Sequence, residues 1–262
     1  MKKLFALALC FFTLAGAPSV LLAAEGPGRT GYVGRDMDGN KRWEAQTRIR
    51  KKEGDIYILT EKGQGVYSSF SGPVSWISEV ELKITKEKVI PLKLEKRVFD
   101  ADGNMIRLEK QDYDTAAKSV FCVHKEFPAD ITRTKEHTFT KDAINRQLLG
   151  LYTQKMLQNG KKKARLQMVS EEPQVYDLDL TVVSTEEVEI NGRERRAYKL
   201  LLDPRLGILD PAKVFFPRAF YWHSAEPDFE WLRYEGLEGG IGSVKVELTV
   251  SPREQIKALG TN

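Results

Sequence analysis

The chain has 262 residues, 41% of them hydrophobic and 30% charged, and 41 Lys and Arg stand against 37 Asp and Glu. That is long enough for one substantial core, since single β domains run to about 200–250 residues, and a net charge of +4 is too small to imply nucleic acid as a partner. Two cysteines, Cys10 and Cys122, exclude a disulfide-dense scaffold.

Lys2 and Lys3 precede an apolar run over residues 4–22, broken by Gly16 and Pro18, and Ala23 and Ala24 come before the first acid, Glu25. This is the layout of a secretory signal peptide; a membrane anchor needs about twenty unbroken apolar residues. The expectation is a signal peptide at 1–24 cut after Ala23 or Ala24. Residues 25–262 then form a single β-rich periplasmic domain with no transmembrane span, in which only Cys122 remains. Cys10 does not read as a lipidation site, because Leu9 before it is not small.

After a Gly/Pro start at Gly26, Pro27 and Gly28, short runs with period-two alternation follow, the signature of strands. Over 41–52, Trp43, Ala45, Thr47 and Ile49 share one face and charges the other. A turn at Glu53-Gly54-Asp55 returns the chain into 56–60. Over 74–85 Trp76, Ser78, Val80, Leu82 and Ile84 alternate, 89–99 follows, and 105–113 with 118–125 read as another hairpin. Such patterns suit antiparallel sheets with one wet face. Two turns share D-x-D-G-N, at Asp36, Asp38, Gly39, Asn40 and at Asp100, Asp102, Gly103, Asn104. The helix-loop-helix calcium site needs glycine sixth and glutamate twelfth; these offer neither, so they read as hairpin turns.

One helix is expected near 141–158. Thr140 can cap it, Asp142 suits its first turn, and Ile144, Leu148, Leu151 and Tyr152 recur at helical spacing before Asn159-Gly160 stops it. Its stripe must cover a face or mouth of the sheet. A second β half begins near Ala164, and Asn191-Gly192 between the runs 176–190 and 193–202 is the strongest hairpin signal in the chain. Residues 214–234 then hold eight aromatics: Phe215, Phe216, Phe220, Tyr221, Trp222, Phe229, Trp231 and Tyr234. Each can bury about 150–250 Å², so the segment either nails down a core or lines an apolar binding surface. Phe220 and Trp222 are expected on one face with Tyr221 and His223 on the other, and Phe229 and Trp231 opposite Leu232 and Tyr234. A final strand spans 244–250.

Chemistry is sparse. Cys122 and His124 sit two apart on a strand and share a face, but a zinc site needs two more ligands, so the plainer reading is structural. The basic knots at 48–52, 161–165 and 193–196 read as solvated faces, with contact to an anionic lipid surface as the minority reading. There is no G-x-S-x-G, phosphate loop or H-E-x-x-H. No catalytic residue, metal site or cofactor is called for, and the oligomeric state is not readable.

The hairpins, the single mid-chain helix and the closing pattern Phe220-Tyr221-Trp222, Trp231-Leu232-Arg233-Tyr234-Glu235-Gly236 and 244–250 resemble a periplasmic family of unknown function. Its half-barrel is similar to the lipoprotein carrier LolA. That resemblance implies a curved antiparallel sheet around an apolar hollow covered by the helix, and a non-catalytic envelope protein that binds an apolar ligand or lipidated partner. On this reading Phe215, Phe216, Phe220, Tyr221, Trp222, Phe229, Trp231, Leu148 and Tyr152 are the candidate ligand-binding residues. Two other classes stand beside it: an assembly module acting through exposed strand edges, and an enzyme with a polar cluster in a pocket.

Overall fold

The structure, a computed structural model, describes residues 29–170, 174–205, 218–239 and 243–251; the expected signal peptide, Phe215 and Phe216 lie outside them. Eight strands come first: β1 (Arg29–Asp36), β2 (Lys41–Glu53), β3 (Ile56–Val66), β4 (Pro73–Ile84), β5 (Val89–Phe99), β6 (Met105–Asp114), β7 (Ser119–Glu126) and β8 (Ile131–Thr138). Each pairs antiparallel with the one before it. After β9 (Asp142–Asn145), a 3₁₀ turn (Arg146–Leu148) and α1 (Leu149–Gln158), the chain returns as β10 (Lys163–Val169), β11 (Val175–Ile190), β12 (Arg193–Pro204), β13 (Ala219–Ser224), β14 (Trp231–Leu237) and β15 (Lys245–Val250). β15 pairs with β1, so one 15-stranded sheet runs from β8 at one edge to β9 at the other. The sheet is curved and unclosed, as the resemblance to a half-barrel family implies.

The helix is shorter than its periodicity suggests. Residues 142–145 form β9, parallel to β10, and α1 begins only at Leu149. Thr140 therefore caps nothing; its backbone N–H donates to Gln167 Oε1 at 2.7 Å. The reason is topological. Parallel neighbours need a crossover of a dozen or so residues, usually helical, and β9–α1–β10 is that unit. Ile144, Leu148, Leu151, Met156 and Leu157 all still reach the core, which is why a strand followed by a helix mimics one longer helix.

Two strands carry no alternation that would reveal them. β8, Ile-Thr-Arg-Thr-Lys-Glu-His-Thr, is exposed along seven of its eight residues and exists because β7 offers it an edge. β1 lies in the middle of the sheet, with Thr30, Gly31, Tyr32 and Gly34 buried, although its sequence opens on Arg-Thr-Gly.

The concave face carries the main core, a set of interlocked rings. Trp43 meets Tyr32 and Trp76 at 5.9 Å and Tyr67 at 6.2 Å between centroids, and Tyr32 meets Trp231 at 6.5 Å. Two rings lie across glycines on the neighbouring strand. A Cβ at Gly34 would stand 2.5 Å from the Trp43 ring, and one at Gly63 2.2 Å from Trp76. A second cluster lies where the sheet overlaps itself: Tyr113, Val120 and Cys122 of β6 and β7 pack on Ala143 and Val169 of β9 and β10.

The two D-x-D-G-N turns behave as hairpins. At each, one aspartate oxygen accepts the backbone N–H groups two and four residues on, at 2.8–3.0 Å, and the glycine takes a φ of +86° or +83°. At Asn191-Gly192 both residues have positive φ, 53° and 74°, the requirement of the tight two-residue turn.

Candidate functional site

The aromatic hairpin of β13 and β14 is covered on both sides. Tyr221, Trp231 and Tyr234 belong to the concave core, where the Tyr221 and Tyr234 centroids are 5.0 Å apart. Trp222 lies on the convex face with Leu232, Val188, Ile190 and Ala197, and Phe220 packs beside it. The faces of Phe220/Trp222 and Tyr221 are as expected, but Tyr234 shares the side of Trp231. The register passes from Trp222↔Arg233 to His223↔Trp231, so Leu232 is an extra residue in a β-bulge and the alternation slips by one. Phe229 is not on a strand either; it sits in the turn at a φ of +49° and stacks on Tyr198 at 6.3 Å.

Trp222 is held by polar groups. Its Nε1–H donates to Glu186 Oε1 at 2.7 Å, Lys199 Nζ lies 5.0 Å from its ring centroid, and the Arg233 guanidinium 4.8 Å. Both cations come from the flanking strands and are themselves ion-paired, Lys199 with Glu186 at 3.6 Å and Arg233 with Glu247 at 2.6 Å, so they cover the indole by attraction to its π face. Leu148 is fully buried in the concave core, and Tyr152 is half-buried at its rim, where its hydroxyl donates to Asp142 Oδ2 at 3.3 Å. Of the candidates within the described residues, Tyr221, Trp231 and Leu148 thus meet in one cluster, with Tyr152 and Phe229 packed against it; Trp222 and Phe220 belong to the other face.

Sequence reasoning missed a polar row across the concave face. Thr47, Glu61, Ser78, Lys96, Glu109 and His124 are successive cross-strand partners from β2 to β7, and all are buried. The signal lay in polar residues at inward positions of otherwise apolar alternations. Glu61 accepts the Tyr32 hydroxyl at 2.5 Å and Trp76 Nε1–H at 2.7 Å. Burial and then this carboxylate raise the Tyr32 phenol well above its ordinary value, so it stays a donor. From the 3₁₀ turn, buried Arg146 donates to the Tyr67 hydroxyl at 2.8 Å, and that hydroxyl donates to the Glu238 carbonyl at 2.7 Å. The Glu238 carboxylate accepts from Arg42, Trp43 Nε1 and Ser68 and ties β2, the β3–β4 loop and the end of β14 together.

Cys122 is buried, and desolvation pushes its thiol up to about 11, which makes it a poor nucleophile. His124 Nε2 is 2.9 Å from Glu126 Oε1. Among the described residues no group of three or more His, Cys, Asp or Glu is placed to hold a metal ion, and no helix is long and apolar enough to cross a membrane.

Openings lie at the surface. The basal end, which carries the β2–β3, β4–β5 and β11–β12 turns, has two adjoining clefts that share Lys88, Val89 and Asp142. One of about 220 Å³ includes Tyr152, Met156, Lys155, Lys161, Lys163 and Arg165; the other, of about 340 Å³, includes Ile90, Pro91, Tyr113 and Phe139. A third surface feature is the outer edge of β8, which among the described residues is paired with β7 alone.

No family model matches the chain, and no curated protein matches its sequence. Among solved structures, a β-barrel-like protein of a domain of unknown function, DUF1849, from Brucella abortus aligns with a TM-score of 0.51 at 8% identity, over 90% of this chain and 98% of that one. The hypothetical lipoprotein YmcC from Escherichia coli aligns with a TM-score of 0.32 at 7% identity, over 85% of this chain and 84% of that one. By fold, the chain is similar to a β-barrel-like protein of unknown function, and no activity comes with that likeness.

Proposed function

We propose that this chain is an exported, non-catalytic protein of the cell envelope that binds an extended segment of a partner protein along the free edge of β8. The leader-like run at 1–24 supports export. The observation that carries the binding reading is β8 itself: eight residues at the end of a 15-stranded sheet, almost wholly exposed and, among the described residues, paired on one side only. Such an edge offers a row of backbone donors and acceptors to an added strand. Its side chains select what is added. Arg133, Lys135 and His137 stand opposite His124, Cys122 and Val120 and so line one face, which favours a partner strand with acids at alternate positions. Those same charges disfavour pairing of β8 with another β8.

The carrier-like alternative, an apolar ligand or lipidated partner under the helix, rests on the layout of the sequence. It has less support in the geometry, because Tyr221, Trp231 and Leu148 are buried members of the main core cluster, Tyr221 packed on Tyr234 and Trp231 on Tyr32. A photo-crosslinking residue at Thr134, with Thr60 of β3 as control, tests the edge reading. An envelope adduct is expected at Thr134 only, and Arg133→Glu with Lys135→Glu should abolish it without changing the fold. Adducts that survive the charge reversal, or that form equally at Thr60, would remove β8 from the mechanism.

A further inference from the structure

The smaller basal cleft contains more positive charge than its surroundings balance. Lys88, Lys155, Lys161, Lys163 and Arg165 line it, against Glu87 and Asp142. Lys88 pairs with Asp142 at 2.8 Å and Arg165 with Asp179 at 2.7 Å. Among the described residues Lys155, Lys161 and Lys163 have no carboxylate partner. The end of α1 accounts for only part of this. A helix C-terminus carries about half a negative charge, and its last carbonyls already accept backbone N–H groups: Lys155 O from Asn159, Leu157 O from Gly160 and Met156 O from Lys161. The cleft is also fixed in place, since Asn159 Nδ2 donates to the Glu87 carbonyl across it at 2.8 Å, which ties the helix end to the β4–β5 turn. Val89, Met156 and Ala164 give it an apolar floor, and Tyr152 stands at its wall with its hydroxyl held by Asp142.

We infer that this cleft is an anion site for a phosphate-bearing group. Three ammonium groups with no carboxylate partner among the described residues, around a pocket of about 220 Å³, match the size and charge of one phosphate with a short substituent. Lysine ammoniums, each a compact point charge with three rotatable donors, suit a tetrahedral anion approached from several sides. The adjoining cleft of about 340 Å³, with Ile90, Pro91 and Phe139, leaves room for the substituent. Sequence alone reads these lysines as a solvated face, because nothing in the order Lys161-Lys162-Lys163 places Lys88 and Lys155 beside them. The phosphate can come from a soluble phosphomonoester or from the headgroup of an anionic phospholipid.

Calorimetric titration of the whole protein with inorganic phosphate and with glycerol phosphate, and cosedimentation with phosphatidylglycerol vesicles, separate these sources. Three proteins are compared: the native chain, Lys161→Glu with Lys163→Glu, and Arg50→Glu with Lys51→Glu as a control of equal charge change on exposed residues of β2. The cleft pair should lose tenfold or more in affinity and the control less than twofold, with all three melting alike. Saturable binding of glycerol phosphate assigns a soluble ligand; binding of vesicles alone assigns a lipid headgroup. Equal losses in the two variants, or no binding in any arm, would overturn the site.

Discussion

His223 is buried on β13, donates through Nδ1 to the Phe229 carbonyl at 2.9 Å, and keeps Nε2 out of contact with water. Desolvation lowers its imidazole from 6.5 to about 4, against a smaller opposing effect of the Phe229 hydrogen bond. The unfolded chain therefore takes up a proton that the folded chain refuses between those values. Stability should fall as pH drops from 6.5 to about 4 and level off below, by about 3 kcal/mol in all. Urea unfolding across this range, repeated with His223→Gln, measures it; the variant should show the shallower decline, and an identical profile would show that the imidazole is not desolvated. Gly63 acts at the same scale by a different cause. It is there because the Trp76 ring occupies the space of a side chain, a contact that no turn or strand signal announces.

At the scale of the element, the β13–β14 hairpin shows how one inserted residue redistributes a face. The bulge at Leu232 puts Trp231 and Tyr234 on the concave side together, and Trp222 becomes the centre of a separate convex cluster beneath Lys199 and Arg233. Both aromatics are close-packed, so Tyr221→Ala and Trp222→Ala should each cost about 3–5 kcal/mol. Denaturant unfolding checks this, together with binding of an apolar fluorescent probe by the native state. A Tyr221→Ala protein with the native midpoint and lost probe binding would show that Tyr221 lines a hollow. For α1, the element beside it decides its start: pairing of β9 with β10 claims residues 142–145, the 3₁₀ turn takes 146–148, and the helix keeps the ten residues Leu149–Gln158.

Across the whole molecule, the two arms of the sheet, β1 to β8 and β9 to β15, are joined through the β1–β15 pair. The first and last described strands thus meet in the middle. Val246 and Leu248 of β15 are fully buried in the concave core. A chain cut before Lys245 should therefore fail to fold, rather than leave a stable amino-terminal half. Far-ultraviolet circular dichroism and thermal melting of the truncated protein are the check, and a cooperative transition in the truncated chain would show that the arms fold independently.

Local pattern was enough to read most of the strands, the two D-x-D-G-N turns and the Asn191-Gly192 hairpin, because side-chain alternation and positive φ are set within a few residues of chain. The apolar faces of Trp43, Ala45, Thr47 and Ile49 and of Trp76, Val80 and Leu82 are where that pattern places them. Tertiary structure decided what pattern does not encode. β8 has no apolar face and forms because β7 has a vacant edge. The row from Thr47 to His124 arises only when six strands are set in register, and the basal cleft only when the crossover after β9 returns α1 beside the β4–β5 turn. In each case the determining neighbour is distant in the chain, and its contribution comes from hydrogen bonding and charge, which leave no periodic trace along a single strand.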